Sequence, residues 1–187
     1  IGGLNLINQS MKHGIKAFLF SSSAAVYGIP EYNPVDENHK LNPINYYGFT
    51  KLLIEKNLKW FSDLNFLRFA SLRYFNASGY DLKKRITSIE KNPHNLIPVI
   101  METAQGVRKK LEIFGKNYKT FDGTAIRDYV HVTDLAKAHI DSIEYILRNE
   151  KDFIINLGTG RGYSVNQVHK VAKAITKKKI VAYYSDK

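Results

Sequence analysis

The chain has 187 residues, no cysteine and a formal net charge of +11, enough length for one domain with a substantial core or for two small lobes. Disulfides, thiolate nucleophiles and cysteine metal sites are excluded, and the histidines show no metal-ligand clustering, so no metal is expected. No apolar run approaches membrane-spanning length, and the lysines are scattered, with Lys177-Lys178-Lys179 their longest run and no aromatic-interleaved basic stripe to suit nucleic acid.

Residues 1–11 read as a helix with Leu4, Ile7 and Met11 on one face. Residues 16–20 form a short apolar run that ends in Ser21-Ser22-Ser23, as a buried strand meeting small polar residues would. Residues 29–45 carry Pro30, Pro34 and Pro43 and read as a loop. A helix is expected over 46–60 and a strand over 66–75, followed by the turn-like Asn76-Ala77-Ser78-Gly79. Residues 80–95 are polar and irregular; a helix over 96–109 and a strand over 111–114 come next. After a loop, 127–132 read as extended, and Thr133 is placed to cap a helix running to about 148. A strand over 153–157, a helix capped by Ser164, and a last strand over 180–184 complete the order. Alternating strands and helices predict an α/β fold with a largely parallel sheet. Ligands of such sheets gather at the carboxyl ends of the strands, where Ser21 to Ser23 and Asn76 are expected.

The chemistry centres on Tyr47-Gly48-Phe49-Thr50-Lys51, a tyrosine and a lysine at i and i+4 on one helix face. A nearby ammonium favours phenolate over phenol, so such a tyrosine can take a proton from an alcohol near neutral pH. The pair alone is weak evidence, because the spacing is common on surface helices. Upstream, Ser21-Ser22-Ser23-Ala24-Ala25-Val26-Tyr27-Gly28 ends a strand and offers a serine hydroxyl to the same substrate oxygen.

Strand-end serine, proline-bearing loop and Tyr-x-x-x-Lys helix, in that order, resemble the extended short-chain dehydrogenase/reductase family. The resemblance implies a catalytic set of Ser23, Tyr47 and Lys51, with Lys51 also holding the nicotinamide ribose. Leu72-Arg73-Tyr74-Phe75-Asn76 is similar to the family segment whose tyrosine lies near nicotinamide and whose asparagine contacts the sugar nucleotide. Asn95-Leu96-Ile97-Pro98 resembles the helix start that meets the substrate diphosphate, and the strand containing Ile113 and Phe114 resembles the one that flanks the uracil. The most specific stretch is Asp122-Gly123-Thr124-Ala125-Ile126-Arg127-Asp128-Tyr129-Val130-His131, whose arginine would grip the diphosphate in a bidentate manner. Together these segments point, within the family, to the UDP-glucose 4-epimerase group.

That resemblance implies an NAD(P)-binding Rossmann-like parallel sheet with a small α/β substrate-binding lobe. Residues 1–80 are expected to be the remainder of the Rossmann domain with the catalytic Ser/Tyr/Lys, and 81–187 mainly the substrate lobe, interleaved with Rossmann elements around 127–157. NAD is the implied cofactor, lined by Ser21, Ser22, Tyr47, Lys51 and Tyr74; a UDP-sugar is the implied substrate, met by Ser23, Asn76, Asn95, Leu96, Ile113, Phe114 and Arg127. A homodimer and a cytoplasmic location are implied as well. By the family's layout a glycine-rich pyrophosphate loop precedes these elements, and nothing like it occurs here. The chain is therefore expected to be a C-terminal portion that by itself binds NAD poorly and turns over nothing.

Other readings are weighed against residues. Gly158-Thr159-Gly160-Arg161-Gly162 lacks dinucleotide-loop spacing, His131 reads as structural, and Asp36 and Glu37 read as exposed or loop-fixing. Ala24 and Ala25 stand where the family's 4,6-dehydratases carry an acid and a base, which argues for epimerisation through a 4-keto intermediate and against dehydration. Another nucleotide-sugar epimerase or decarboxylase, or a catalytically silent binding module on the same fold, stays open.

Overall fold

A computed structural model describes residues 2–86 and 90–186. They fall into two compact units: unit 1 comprises Ile1–Ala77 and Val130–Thr159, unit 2 Ser78–Tyr129 and Gly160–Lys187. Of the expected elements, only Ile1 of the first helix and 87–89 of the irregular stretch lie outside the described residues.

Unit 1 is built on three parallel strands, β1 (Ala17–Ser23), β2 (Arg68–Tyr74) and β6 (Phe153–Leu157), in the order β1-β2-β6. Helices α1 (Gly2–Lys12) and α2 (Tyr46–Asp63) cover one face, and α4 (Val132–Asn149) covers the other. The pleat explains the two apolar layers, because alternate residues point to opposite faces. Phe18 and Phe20 of β1 and Phe69 of β2 pack with Ile7, Ile54 and Leu58 of the helices. Ala17, Leu19, Ala70 and Leu72 pack with Ile146 of α4. Parallel strands buried on both faces tend to read as continuous apolar runs; here Ser21–Ser23, Ser71, Arg73 and Asn156 interrupt them.

Helix α2 starts where Asn45 accepts the Gly48 N–H at 2.8 Å. Its buried stripe is Gly48, Leu52, Glu55, Leu58 and Ser62, at the three- and four-residue steps of a helix face. The first turn of α2 rests on a short 3₁₀ turn (Ala24–Val26) that continues β1. Gly48 makes that approach close: a Cβ there would stand 2.4 Å from the Ala25 carbonyl oxygen and 3.0 Å from Pro43. The proline-bearing loop is tied down in the same way, since Gly28 turns with φ +74° against the Asn42 carbonyl.

The cap of α4 differs from expectation. The sequence favours Thr133, but His131 is the N-cap: its ring nitrogen accepts the Thr133 N–H, because β5 (Ile126–His131) continues up to His131 and the helix begins at Val132. Helix α3 (Leu96–Ala104) is shorter than the apolar pattern suggested, because the N–H groups of Val107 and Arg108 turn back to the Glu102 carbonyl. Asn76-Ala77-Ser78, read as a turn, is a three-residue strand, β3 (Asn76–Ser78).

Unit 2 holds parallel β4 (Leu111–Phe114) and β8 (Ala182–Ser185), packed under α3 and α5 (Val165–Thr176) through Ile100, Leu111, Ile113 and Ile180. β5 (Ile126–His131) pairs antiparallel with β7 (Gly162–Ser164) over residues 126–128. Ser164 caps α5 in a capping box with Gln167, as its position predicted. The Ser164 hydroxyl also donates to Asp122 at 2.5 Å, and the Thr124 N–H and hydroxyl donate to the same carboxylate. Burial alone would raise the Asp122 carboxyl, but these hydrogen bonds outweigh it and hold it below its ordinary value. No helix among the described residues is long and apolar enough to cross a membrane.

Two outcomes follow from this packing. Gly48→Ala pushes the start of α2 off the Ala25 carbonyl and lowers stability by about 1–3 kcal/mol, read from urea unfolding. Because Asp122 is depressed in the folded state, its contribution is complete above the unfolded value near about 3.9 and is lost as pH falls through the folded one. Thermal melts between about pH 6 and 3 therefore show a smaller acid loss for Asp122→Asn than for the unchanged protein.

Candidate active site

The carboxyl ends of β1 and β2 lie side by side, with Ser22 opposite Arg73 and Ser23 opposite Tyr74 in the parallel register. Alternation along β1 sorts the three serines. Ser22 shares the face of Phe18 and Phe20, is fully buried, and donates its hydroxyl to Glu55 of α2 at 2.5 Å. Ser21 shares the opposite face, and its hydroxyl lies 3.2 Å from His139 Nε2. His139 Nδ1 lies 2.7 Å from the Leu135 carbonyl, which needs a proton on Nδ1, so Nε2 accepts from Ser21. The hydroxyls of Ser21 and Ser22 are thus spent inside the fold, and their backbone is what remains for a ligand. Ser23 is different: its oxygen accepts the Ala25 N–H at 3.2 Å, which leaves its proton available.

Tyr47 and Lys51 occupy successive turns of α2 beside this strand end. The Lys51 ammonium donates to the Ser21 carbonyl at 2.7 Å and stands 5.5 Å from the Tyr47 ring centre and 5.0 Å from that of Phe20. Two of its three N–H groups remain beyond that bond. The Tyr47 side chain is open to solvent, 53% exposed. Tyr74, half-buried at the end of β2, has its ring 6.3 Å from that of His139. Asn76 follows two residues later in β3. Unit 1 therefore brings together Ser21, Ser22, Ser23, Tyr47, Lys51, Tyr74 and Asn76 on one strand-end region.

Behind these residues runs a buried polar chain that sequence reasoning missed. Glu55 and Arg73 are 2% and 3% exposed and form a two-pronged ion pair, Nη2 to Oε2 at 2.6 Å and Nε to Oε1 at 2.9 Å. Arg73 Nη1 donates to the Tyr27 hydroxyl at 2.9 Å, and Tyr27 donates to Asn156 Oδ1 at 2.6 Å. Asn156 in turn holds the proline-bearing loop, its backbone N–H donating to Glu37 at 2.7 Å and its side-chain amide to the Val35 carbonyl at 3.0 Å. Glu37 is loop-fixing, and Asp36 likewise accepts the Asn38 N–H and the Tyr32 hydroxyl. Burial opposes the Arg73 charge, yet its hydrogen bonds to Glu55 and Tyr27 outweigh that and raise it above its ordinary value. Burial also raises the Tyr27 phenol, against the pull of Arg73 and Asn156, and so keeps it a donor. A signal existed: Glu55 is a carboxylate in the centre of an apolar helical stripe, and Arg73 interrupts an apolar strand.

The remaining sequence-predicted residues belong to unit 2. Asn95 is at the N-cap of α3 but makes no side-chain cap bond, and Leu96 begins the helix. Ile113 is buried in the core of the unit, whereas Phe114, next along the strand, is exposed. Arg127 is exposed on β5 opposite Tyr163, with Nη1 on the Ile126 carbonyl at 2.8 Å. Among the described residues no group of three or more histidines, aspartates or glutamates could hold a metal.

The UDP-glucose 4-epimerase of Rhizobium leguminosarum bv. trifolii is 43% identical to the chain over 168 residues, covering 90% of the chain and 51% of that protein. The crystal structure of UDP-glucose 4-epimerase from Brucella ovis in complex with NAD matches with a TM-score of 0.94 and 38% identity, over 100% of this chain and 57% of that one. The UDP-glucose 4-epimerase from Bifidobacterium longum in complex with NAD+ and UDP matches with a TM-score of 0.90 and 35% identity, over 99% of this chain and 56% of that one. The chain thus spans about half the length of the curated relatives it matches. Residues 1–158 match the NAD dependent epimerase/dehydratase family, and with identities of this size over Rossmann-like α/β neighbours, the chain belongs to that family.

Proposed function

We propose that this chain carries the Ser/Tyr/Lys centre and part of the substrate lobe of an NAD-dependent UDP-hexose 4-epimerase, acting on UDP-glucose and UDP-galactose. The observation that carries the reading is the Lys51 ammonium held on the Ser21 carbonyl beside an exposed Tyr47. Solved relatives bound to NAD, and one to NAD+ and UDP, support the choice of ligands. Unit 1 is read as the remainder of the Rossmann domain and unit 2 as the substrate lobe.

The residues present suit a nicotinamide ribose: two free ammonium N–H groups of Lys51, the Tyr47 hydroxyl and the Tyr74 ring gather at the carboxyl ends of parallel strands, with the backbone of Ser21 and Ser22 beside them. Bound there, NAD supplies a reversible hydride acceptor for C4 of the sugar. Tyr47 removes the 4-hydroxyl proton and later returns it. Ser23 hydrogen-bonds the same oxygen through its hydroxyl without giving up its proton. The Lys51 ammonium, 5.5 Å from the Tyr47 ring centre, is assigned to the nicotinamide ribose beside that tyrosine. Ala24 and Ala25 add no acid or base, so the 4-keto sugar is not dehydrated. In unit 2, Arg127 and the amides at Asn95 and Leu96 are assigned to the diphosphate, Phe114 and the backbone of Ile113 to the uracil, and Asn76 of unit 1 to the sugar nucleotide.

Leu6 of α1 and Phe49, Leu53 and Trp60 of α2 are exposed apolar residues, which supports a homodimer through these two helices; a cytoplasmic location is a further part of the proposal, resting on the family resemblance. A relative described as a UDP-Glc/GlcNAc 4-epimerase, from Campylobacter jejuni, keeps a second sugar in view. Turnover of UDP-glucose, UDP-N-acetylglucosamine and UDP-arabinose by the full-length gene product separates these sugars. In that protein Tyr47→Phe lowers kcat on the order of 10²–10⁴-fold with KM little changed. Unchanged turnover would remove Tyr47 from the chemistry and the reading with it.

A further inference from the structure

Tyr47, Lys51 and Glu55 follow one another at four-residue steps along α2, so Lys51 has a tyrosine one turn before it and a carboxylate one turn after it. A lysine and a glutamate at that spacing are within reach of each other, and a buried carboxylate seeks the nearest cation. Lys51 nevertheless makes no ion pair: among the described residues no carboxylate oxygen lies within 4.0 Å of its nitrogen. Its ammonium goes to the Ser21 carbonyl instead.

The reason is that Glu55 is already satisfied. From β2, Arg73 takes both its oxygens, and from β1, the Ser22 hydroxyl takes Oε1. Tyr27, from the 3₁₀ side, occupies the remaining prong of Arg73 and faces its ring at 5.0 Å. The anchors are consecutive residues of β1: the Ser21 carbonyl takes the Lys51 ammonium, and the Ser22 hydroxyl, on the face of Phe18 and Phe20, goes to Glu55. The two charges thus lie close along one helix and are kept on separate partners.

We propose that Arg73 is a positioning residue for the Tyr47–Lys51 centre: by capturing Glu55 it withholds the carboxylate from Lys51, leaving the ammonium for Ser21, for Tyr47 and for the ribose of the cofactor. The role of that ammonium rests on the epimerase reading above; the capture itself does not.

The test uses the full-length gene product with Arg73→Met and with Glu55→Leu/Arg73→Met, the second replacing the pair by apolar side chains of similar volume, an exchange that buried pairs often tolerate. In the crystal structure of Arg73→Met, Lys51 is expected to leave the Ser21 carbonyl and close on Glu55, and turnover of UDP-glucose falls on the order of 10²-fold. In the double variant Lys51 returns to Ser21 and turnover recovers to within about threefold, although the bonds to Ser22 and Tyr27 are still missing. A merely structural role would leave the double variant as impaired as the single one. Lys51 still on Ser21 in Arg73→Met, or a double variant with no recovery, overturns the proposal. If Arg73→Met does not fold, the double variant alone decides by the same two readings. If the unchanged protein turns over no UDP-sugar but Lys51 moves as stated, the epimerase reading falls and the positioning role stands.

Discussion

The buried ion pair between Glu55 and Arg73 is the constraint on which unit 1 is organised. Two charges 2% and 3% exposed survive in an apolar layer only because their bonding is nearly complete: two prongs to each other, one hydroxyl from Ser22 and one from Tyr27. Pairs of this kind add little net stability over apolar residues of equal size, but a single survivor costs about 3–5 kcal/mol, so the arrangement is kept whole or lost whole. What it contributes is registration. It fixes the rotation of α2 about its axis against β1 and β2, and that rotation decides which way the preceding turns, with Lys51 and Tyr47, are aimed.

From the same pair the order spreads outward. Tyr27 passes it to Asn156 on β6, and Asn156 passes it to Val35 and Glu37 in the proline-bearing loop. His39 pins that loop from within, accepting the Glu31 N–H while its other ring nitrogen meets the Lys40 carbonyl. The loop joins the serine strand to the tyrosine helix, and its ties to Asn156 lead back through Tyr27 to the pair held under α2. The close seat of Gly48 on the Ala25 carbonyl is the short-range half of the same design.

Unit 2 uses a different device. Its core is apolar, and Asp122 ties the Asp122-Gly123-Thr124 turn to the start of α5 through Ser164 and Thr124. The turn precedes β5, and Arg127 is carried on that strand to the surface, with its only side-chain bond described above going to its own neighbour's carbonyl. A cation left this accessible is suited to a diphosphate, which fits the role proposed for it. Among the described residues, Lys51, Lys59 and Lys137 hydrogen-bond through their side chains, the last two in exposed i,i+4 pairs.

How much of this was legible in the sequence depends on whether the cause was local. Apolar periodicity and turn residues located the helices and strands, because burial faces repeat at 3.6 and 2 residues and caps such as Ser164 act within one turn. The Tyr47–Lys51 spacing and the Ser23 segment likewise marked the candidate centre, since one helix turn and one strand end suffice to define them. The misread ends, Thr133 for His131 and the overlong α3, came from competition between neighbouring local bonds that pattern alone does not rank. Which of three adjacent serines keeps a free proton, and which partner Lys51 and Glu55 each take, only the tertiary structure decided. Those choices depend on Arg73, His139 and Asn156, side chains 18, 118 and 129 residues away from their partners Glu55, Ser21 and Tyr27, and hydrogen bonding over such separations is set by the packing of the sheet between its helices.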